Sequence, residues 1–276
     1  MKLNARQLDQ FYTCPELAQS LTGHLWQKLS EEERGFSFLE PSAGKGAFLE
    51  AAQSWVSPTH LLGLDLDPKH PHIQSQDFLE WVAPHKNWVV FGNPPFGKNS
   101  SLAVKFFNHA ASFAQVIGFI VPRTFEKQSL QKRLSLDFDL VEEVTIPPLS
   151  FFFEGQKITV PCVFQLWRKL PVGQKRILVH RPTTHPDFSF QDLPQGAAFA
   201  FQRVGVKAGR TKALTEKSIA PPSHYFLVPR PGLSGQVLRK RLDQINWDVI
   251  KFKTAGNPSI GRADLVEQYI KAYPSL

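Results

Sequence analysis

Apolar positions recur at helical spacing near the N-terminus, at Leu17, Leu21, Leu25 and Leu29, which predicts one amphipathic helix within residues 1–33. Thr13 is its expected N-cap and Pro15 its first-turn proline. The pattern then shifts to short apolar runs that end in polar or glycine-containing turns. FSFLEP (36–41), HLLGLD (60–65), NWVVFG (87–92) and QVIGFIVP (115–122) read as strands. Between them AFLEAAQSW (47–55) and SLAVKFFNHAASFA (101–114) are helical, and FEKQSLQKRL (125–134) is a shorter helix. LVEEVTI (140–146) and TVPCVFQLWR (159–168) are two further strands, joined by PPLSFFFEGQKI, which has no helical pattern. That pair is expected to run antiparallel at the sheet edge. Strands alternating with helices predict an α/β fold with a doubly wound, mostly parallel sheet.

Beyond Lys169 the texture changes to frequent prolines and short β-like pieces such as KRILVH (175–180) and HYFLV (224–228). A boundary is therefore expected near 170, dividing the chain into 1–168 and 169–276. Charge divides at nearly the same place. Of the overall +8, residues 1–166 hold 14 basic and 17 acidic side chains, and 167–276 hold 18 and 7. A basic C-terminal region suits a polyanionic partner, because cations near phosphates release counterions, although a merely solvated basic surface has the same composition. With 276 residues and 42% hydrophobic content, the chain can bury a real core, which excludes disorder and fibrous repeats. No apolar run approaches the ~18 residues that span a bilayer, and the N-terminus lacks the apolar stretch of a signal peptide. The expectation is a soluble, cytoplasmic protein with no membrane association. Cys14 and Cys162 are 148 positions apart without CxxC or Cys/His spacing, so neither a disulfide framework nor a metal site is indicated.

Ligands of open α/β sheets sit beyond the carboxyl ends of the strands, and the residues there carry the chemistry. After the first strand, Glu40-Pro41-Ser42-Ala43-Gly44-Lys45-Gly46 offers glycines that let backbone approach a ligand, though it lacks the third glycine of a dinucleotide fingerprint. Asp65 and Asp67 follow about 20 residues later, where a carboxylate can accept ribose hydroxyls. Asp77 and Phe78 offer a carboxylate and an aromatic wall, or a turn before an apolar run. Asn93-Pro94-Pro95-Phe96-Gly97 is the most telling segment: two prolines fix φ and remove donors, holding acceptors beside a π-face. Such a turn suits a planar group with an exocyclic amine.

In this order the motifs resemble those of class I S-adenosylmethionine-dependent methyltransferases, specifically the N6-adenine DNA methyltransferases. FYTCPE (11–16), EPSAGKGAF (40–48), GLDLDP (63–68), SQDFLEW (75–81), GNPPFG (92–97) and IVPRTF (120–125) carry the likeness, over roughly residues 8–168. The resemblance implies a Rossmann-like fold with S-adenosylmethionine as cofactor. Thr13 and the loop from Glu40 through Gly46, with Ser42 and Gly44, would hold its methionine part, Asp65 with Leu66 its ribose, and Asp77 and Phe78 its adenine, and Asn93 would also meet the cofactor. Asn93, Pro94, Pro95 and Phe96 would hold the target, with Phe96 stacking on the base. The implied reaction is direct attack of the amine on the methyl group, with the Asn93 amide oxygen and the Pro94 carbonyl as acceptors. An RNA adenosine and the side-chain amide of a protein glutamine remain alternative targets of the same turn.

Other candidates stay open. His60, His70 and His72 are a histidine-containing loop or, less simply, a metal site. Phe151, Phe152 and Phe153 either wall the base pocket or pack the core. Arg203, Lys207, Arg210, Lys212 and Lys217, and the denser run Arg239-Lys240-Arg241, are expected to contact nucleic acid, or else form charged surface.

Overall fold

A computed structural model describes residues 11–178, 181–253 and 257–274. The chain forms two compact units, the first ending at Leu178. The first unit is built on a seven-stranded sheet: β1 (Ser37–Glu40), β2 (Leu61–Asp65), β3 (Ile73–Ser75), β4 (Trp88–Gly92), β5 (Ala114–Pro122), β6 (Phe138–Thr145) and β7 (Cys162–Lys169). Their order is 3-2-1-4-5-7-6, all parallel except β7, which runs antiparallel to both its neighbours. The fold is thus the doubly wound, mostly parallel α/β sheet the sequence predicts, and β6 and β7 are its antiparallel edge pair.

Helices cover both faces, which is why the central strands are continuously apolar rather than alternating. Every residue of β4 is buried. One face of the sheet, with Phe38, Phe91, Val116 and Ile120, packs against α1 (Pro15–Lys28) and α2 (Ala47–Ala52) through Ala18, Leu21, Leu25, Phe48 and Ala52. The opposite face, with Leu39, Val90, Ile117 and Phe119, packs against α3 (Ser101–Ala111) through Ala103, Val104, Phe107 and Ala110. From β1 the chain goes to β2 and β3 on one side, then returns to β4 on the other. The strand order reverses between β1 and β4, leaving a crevice beyond their carboxyl ends.

Several boundaries differ from expectation. α1 is capped by Cys14 rather than Thr13, with Pro15 at its first position. Thr13 belongs instead to a short strand, Tyr12–Thr13, which pairs with Phe151–Phe153; that strand pairs in turn with Gln156–Ile158. Residues 1–10 lie outside the described residues. The predicted 1–33 helix ends at Lys28, and a separate turn, Glu31–Arg34, follows with a capping box between Ser30 and Glu33. The 125–134 helix is reduced to Gln128–Gln131 after a 3₁₀ turn at Arg123–Glu126. Residues 175–178 form no strand, and 179–180 lie outside the described residues. Lys175 pairs with Asp137, and the Arg176 guanidinium donates to Gln131 O at 2.9 Å and stacks 4.7 Å from the Trp167 ring. These contacts fasten the segment to the first unit, so that unit extends about ten residues past the expected boundary.

The second unit has its own antiparallel sheet, in the order β8 (Phe188–Gln191), β11 (His224–Pro229), β9 (Phe199–Gln202), β10 (Thr211–Lys212). Helices α4 (Gly235–Asp243) and α5 (Arg262–Ala272) complete a separate core around Phe188, Phe201, Leu227, Leu238, Leu265 and Tyr269.

Candidate active site

A cavity of about 790 Å³ opens at the switch point between β1 and β4. Its floor begins at Glu40, the last residue of β1. This carboxyl is 2% exposed, and its Oε2 has no hydrogen-bond partner. Burial raises its pKa well above the usual carboxylate range, an effect partly offset by the Leu49 backbone N–H. Gly92 lies beside it at φ +128°, where a Cβ would come 3.0 Å from Glu40 Cγ.

Beyond β1 the loop turns at Gly44 (φ +50°) and Gly46 (φ +85°), both in the left-handed region that favours glycine. The Gly44 N–H donates to Asp65 Oδ2 at 2.7 Å, and the Asp67 N–H donates to Oδ1 at 2.8 Å. Asp65 therefore fastens the glycine loop to the end of β2 and, as a carboxylate, retains lone pairs for a further donor. Leu66, 66% exposed, also lines the cavity. Beyond β3, Asp77 Oδ1 accepts the Leu79 N–H at 2.8 Å and Phe78 is fully buried, its ring 5.0 Å from Phe106. Leu102 and Phe106, one helical turn apart at the start of α3, complete that wall.

Beyond β4, Asn93 is fixed by three contacts. Its Nδ2 donates to Phe11 O at 2.9 Å and to Thr13 Oγ1 at 3.2 Å, and its own carbonyl accepts from Ser42 Oγ at 3.1 Å. Because Phe11 O can only accept, the amide nitrogen must face it, and Asn93 Oδ1 is left as a buried acceptor without a partner. Asn93, Pro95 and Gly97 line the cavity, whereas Pro94 and Phe96 do not. The Phe96 ring packs instead beside Phe11, 6.4 Å between centroids, against the α1 side of the core. The stacking ring expected in the site thus lies next to it, and the aromatic wall comes from Phe11, Tyr12 and Phe152.

The structure brings together Thr13, Glu40, Ser42, Gly44, Asp65, Leu66, Asp77, Phe78, Asn93 and Pro95 around one space. Gly46 is not among the lining residues; its conformation turns the loop into α2. Of the phenylalanine run, Phe152 faces the cavity, Phe151 is core, and Phe153 packs 5.7 Å from Phe11. The cavity is also lined by Lys45 of the glycine loop and by Tyr12, Gln76, Lys98 and Phe106, which the sequence patterns do not single out as site residues. Tyr12 lies inside a motif already singled out, and Phe106 was signalled by its helical spacing from Leu102. Among the described residues no group of three or more His, Cys, Asp or Glu could hold a metal ion. His70 lies against the glycine loop, 3.1 Å from where a Cβ on Gly46 would stand.

The eight basic residues expected to meet nucleic acid separate into two kinds. Arg241 donates to Asp187 Oδ2 and the Tyr269 hydroxyl, each at 3.0 Å, and Arg203 donates to Pro222 O at 3.1 Å and stacks 5.0 Å over Tyr225. Both are committed to the fold of the second unit. The others lie outward. Thr211 donates to Asp243 Oδ1 at 2.8 Å and accepts from Arg239 Nε at 2.9 Å, which sets loop 207–212 against α4. Lys207, Arg210, Lys217 and Lys240 are exposed, and Lys212 donates to Ser218.

No family model matches the sequence, and no curated protein matches it. Among solved structures, the chain is similar to a Pyrococcus horikoshii protein described as an RNA methyltransferase, at 19% identity over 59% of this chain and 88% of that one, with a TM-score of 0.46. It is also similar to the type I restriction enzyme EcoKI M protein, at 17% identity over 67% and 50% of the respective chains, TM-score 0.44. A third is the 23S rRNA methyltransferase ErmE, at 15% identity over 62% and 72%, TM-score 0.41. At these identities the likeness is one of fold.

Proposed function

We propose that the chain transfers a methyl group from S-adenosylmethionine to the N6 amine of adenine in nucleic acid, with DNA favoured over RNA on the order of the motifs. The observation that carries this reading is Asn93 Oδ1: a buried acceptor without a partner, on a cavity-lining turn at the switch point. A buried polar atom left unpaired is costly unless a ligand satisfies it, and the donor it suits is an N–H.

The remaining residues fit the cofactor. The cavity has room for a nucleoside, the Phe78–Phe106 wall suits a flat ring, and Asp65 keeps acceptor capacity for ribose hydroxyls. The unpartnered Glu40 Oε2 suits an ammonium group. When bound beside Glu40, Asp65 and the Phe78–Phe106 wall, the cofactor would supply a sulfonium methyl for transfer to the amine nitrogen; the nitrogen–carbon bond would form as the carbon–sulfur bond breaks, and the surplus proton would pass to water. Asn93 accepts an amine hydrogen and orients the lone pair, a preorganised dipole at a buried atom. Phe11 and Phe152 offer faces for a base taken out of its stack. Basic side chains of the second unit supply attraction to phosphates.

Labelled methyl transfer to duplex DNA, single-stranded DNA, structured RNA and a protein extract, followed by nucleoside mass analysis, tests the reading. N6-methyldeoxyadenosine is the expected product. N6-methyladenosine in RNA alone would change the polymer and keep the chemistry, and label confined to protein would overturn the adenine assignment.

A further inference from the structure

The orientation of Asn93 depends on a segment about 80 residues away in sequence. Both acceptors of its Nδ2, the Phe11 carbonyl and the Thr13 hydroxyl, lie on the stretch preceding α1. That stretch is itself held in register by a distant hairpin: Tyr12 pairs with Phe152, Thr13 with Phe151, and the Cys14 N–H donates to Ser150 O at 3.0 Å. Thr13 is 7% exposed, so water does not compete freely for its hydroxyl. A side-chain amide can rotate by half a turn with little change in shape, exchanging its oxygen and nitrogen. Only its partners decide which atom points where. The Phe11 carbonyl, which can only accept, therefore determines that the other side presents oxygen, and the Thr13 hydroxyl holds the amide in that orientation by accepting from the same nitrogen.

We infer that Thr13 is a positioning residue, which with the Phe11 carbonyl holds Asn93 so that Oδ1 meets a substrate N–H. This deepens the methyl-transfer reading and rests on it. The resemblance assigns Thr13 to the cofactor; here its oxygen accepts from Asn93, and its own hydrogen stays free to donate elsewhere. The same geometry makes aspartate a poor replacement for Asn93. An oxygen in the place of Nδ2 would stand 2.9 Å from Phe11 O with no hydrogen between them.

The test compares Thr13→Val, Thr13→Ser and Asn93→Asp with the wild type, by steady-state transfer, cofactor titration and the ¹⁵N–¹H signals of the Asn93 side chain, identified by their absence in Asn93→Ala. Thr13→Val should lower kcat about tenfold with the cofactor Kd within threefold, and should move one amide proton upfield. Thr13→Ser should restore both, and Asn93→Asp should be as inactive as removal of the side chain. An unchanged amide pair in Thr13→Val, or a raised Kd with unchanged kcat, would overturn the inference. The amide signals do not depend on turnover. If the wild type transfers no methyl to any polymer, the functional reading fails and those signals still decide the role of Thr13.

Discussion

Glu40 places a carboxyl almost wholly out of water, and burial raises its pKa well above the ordinary value. In the unfolded chain the same group ionises near ~4.3. Between that pH and its folded pKa, folding must therefore take up a proton. The stability linked to Glu40 is complete below the unfolded pKa and is lost as pH rises toward the folded one. Glu40→Gln, which is neutral throughout, should melt higher than wild type at neutral pH and lose that advantage near pH 4, as scanning calorimetry across pH would show. The same substitution should weaken cofactor binding if Glu40 meets an ammonium group. At this scale the sequence shows residue types at strand ends, and so Asp65, Asp77 and Asn93 could be singled out. It does not show side-chain direction. Pro94 and Phe96 sit in the same motif as Asn93 yet do not line the cavity, and the partners that fix Asn93 come from Phe11 and Thr13, too distant for any local pattern to reveal.

Individual elements were legible wherever burial is two-sided or periodic. β4 is apolar throughout because helices cover both its faces, and it ends at Gly92 beside Glu40. There φ is +128°, and a Cβ would press on Glu40 Cγ at 3.0 Å. Gly92→Ala should destabilise the fold by about 1–3 kcal/mol in chemical denaturation and weaken cofactor affinity through Glu40. The elements that escaped were short. β3 has three residues and only Ile73 buried, and the Tyr12–Thr13 strand has two, so neither carries a period to detect. The hairpin at Phe151–Ile158 showed an aromatic run without alternation, because Phe151 fills the core while Phe152 faces the cavity.

For the whole molecule, the charge contrast between the two parts is a property of composition, whereas the role of each cation depends on its neighbours. Three successive residues on α4 illustrate this, since side chains on a helix step around its axis. Arg239 reaches Thr211, Lys240 is exposed, and Arg241 joins Asp187 and Tyr269. Arg241→Ala should lower the melting temperature, by roughly 1–2 kcal/mol of stability, while Lys240→Ala should not. Conversely, Lys207→Ala, Arg210→Ala and Lys240→Ala together should leave stability unchanged and flatten the salt dependence of DNA binding, by roughly two to three in the log–log slope. The account as a whole turns on Asn93 as the acceptor that makes an amine reactive, and that claim is most directly tested by the rate of methyl transfer in Asn93→Ala, with cofactor affinity measured in parallel. Loss of ~10²–10³ in rate with a cofactor Kd within a few-fold of wild type is the predicted result. Transfer at a near-normal rate would contradict it.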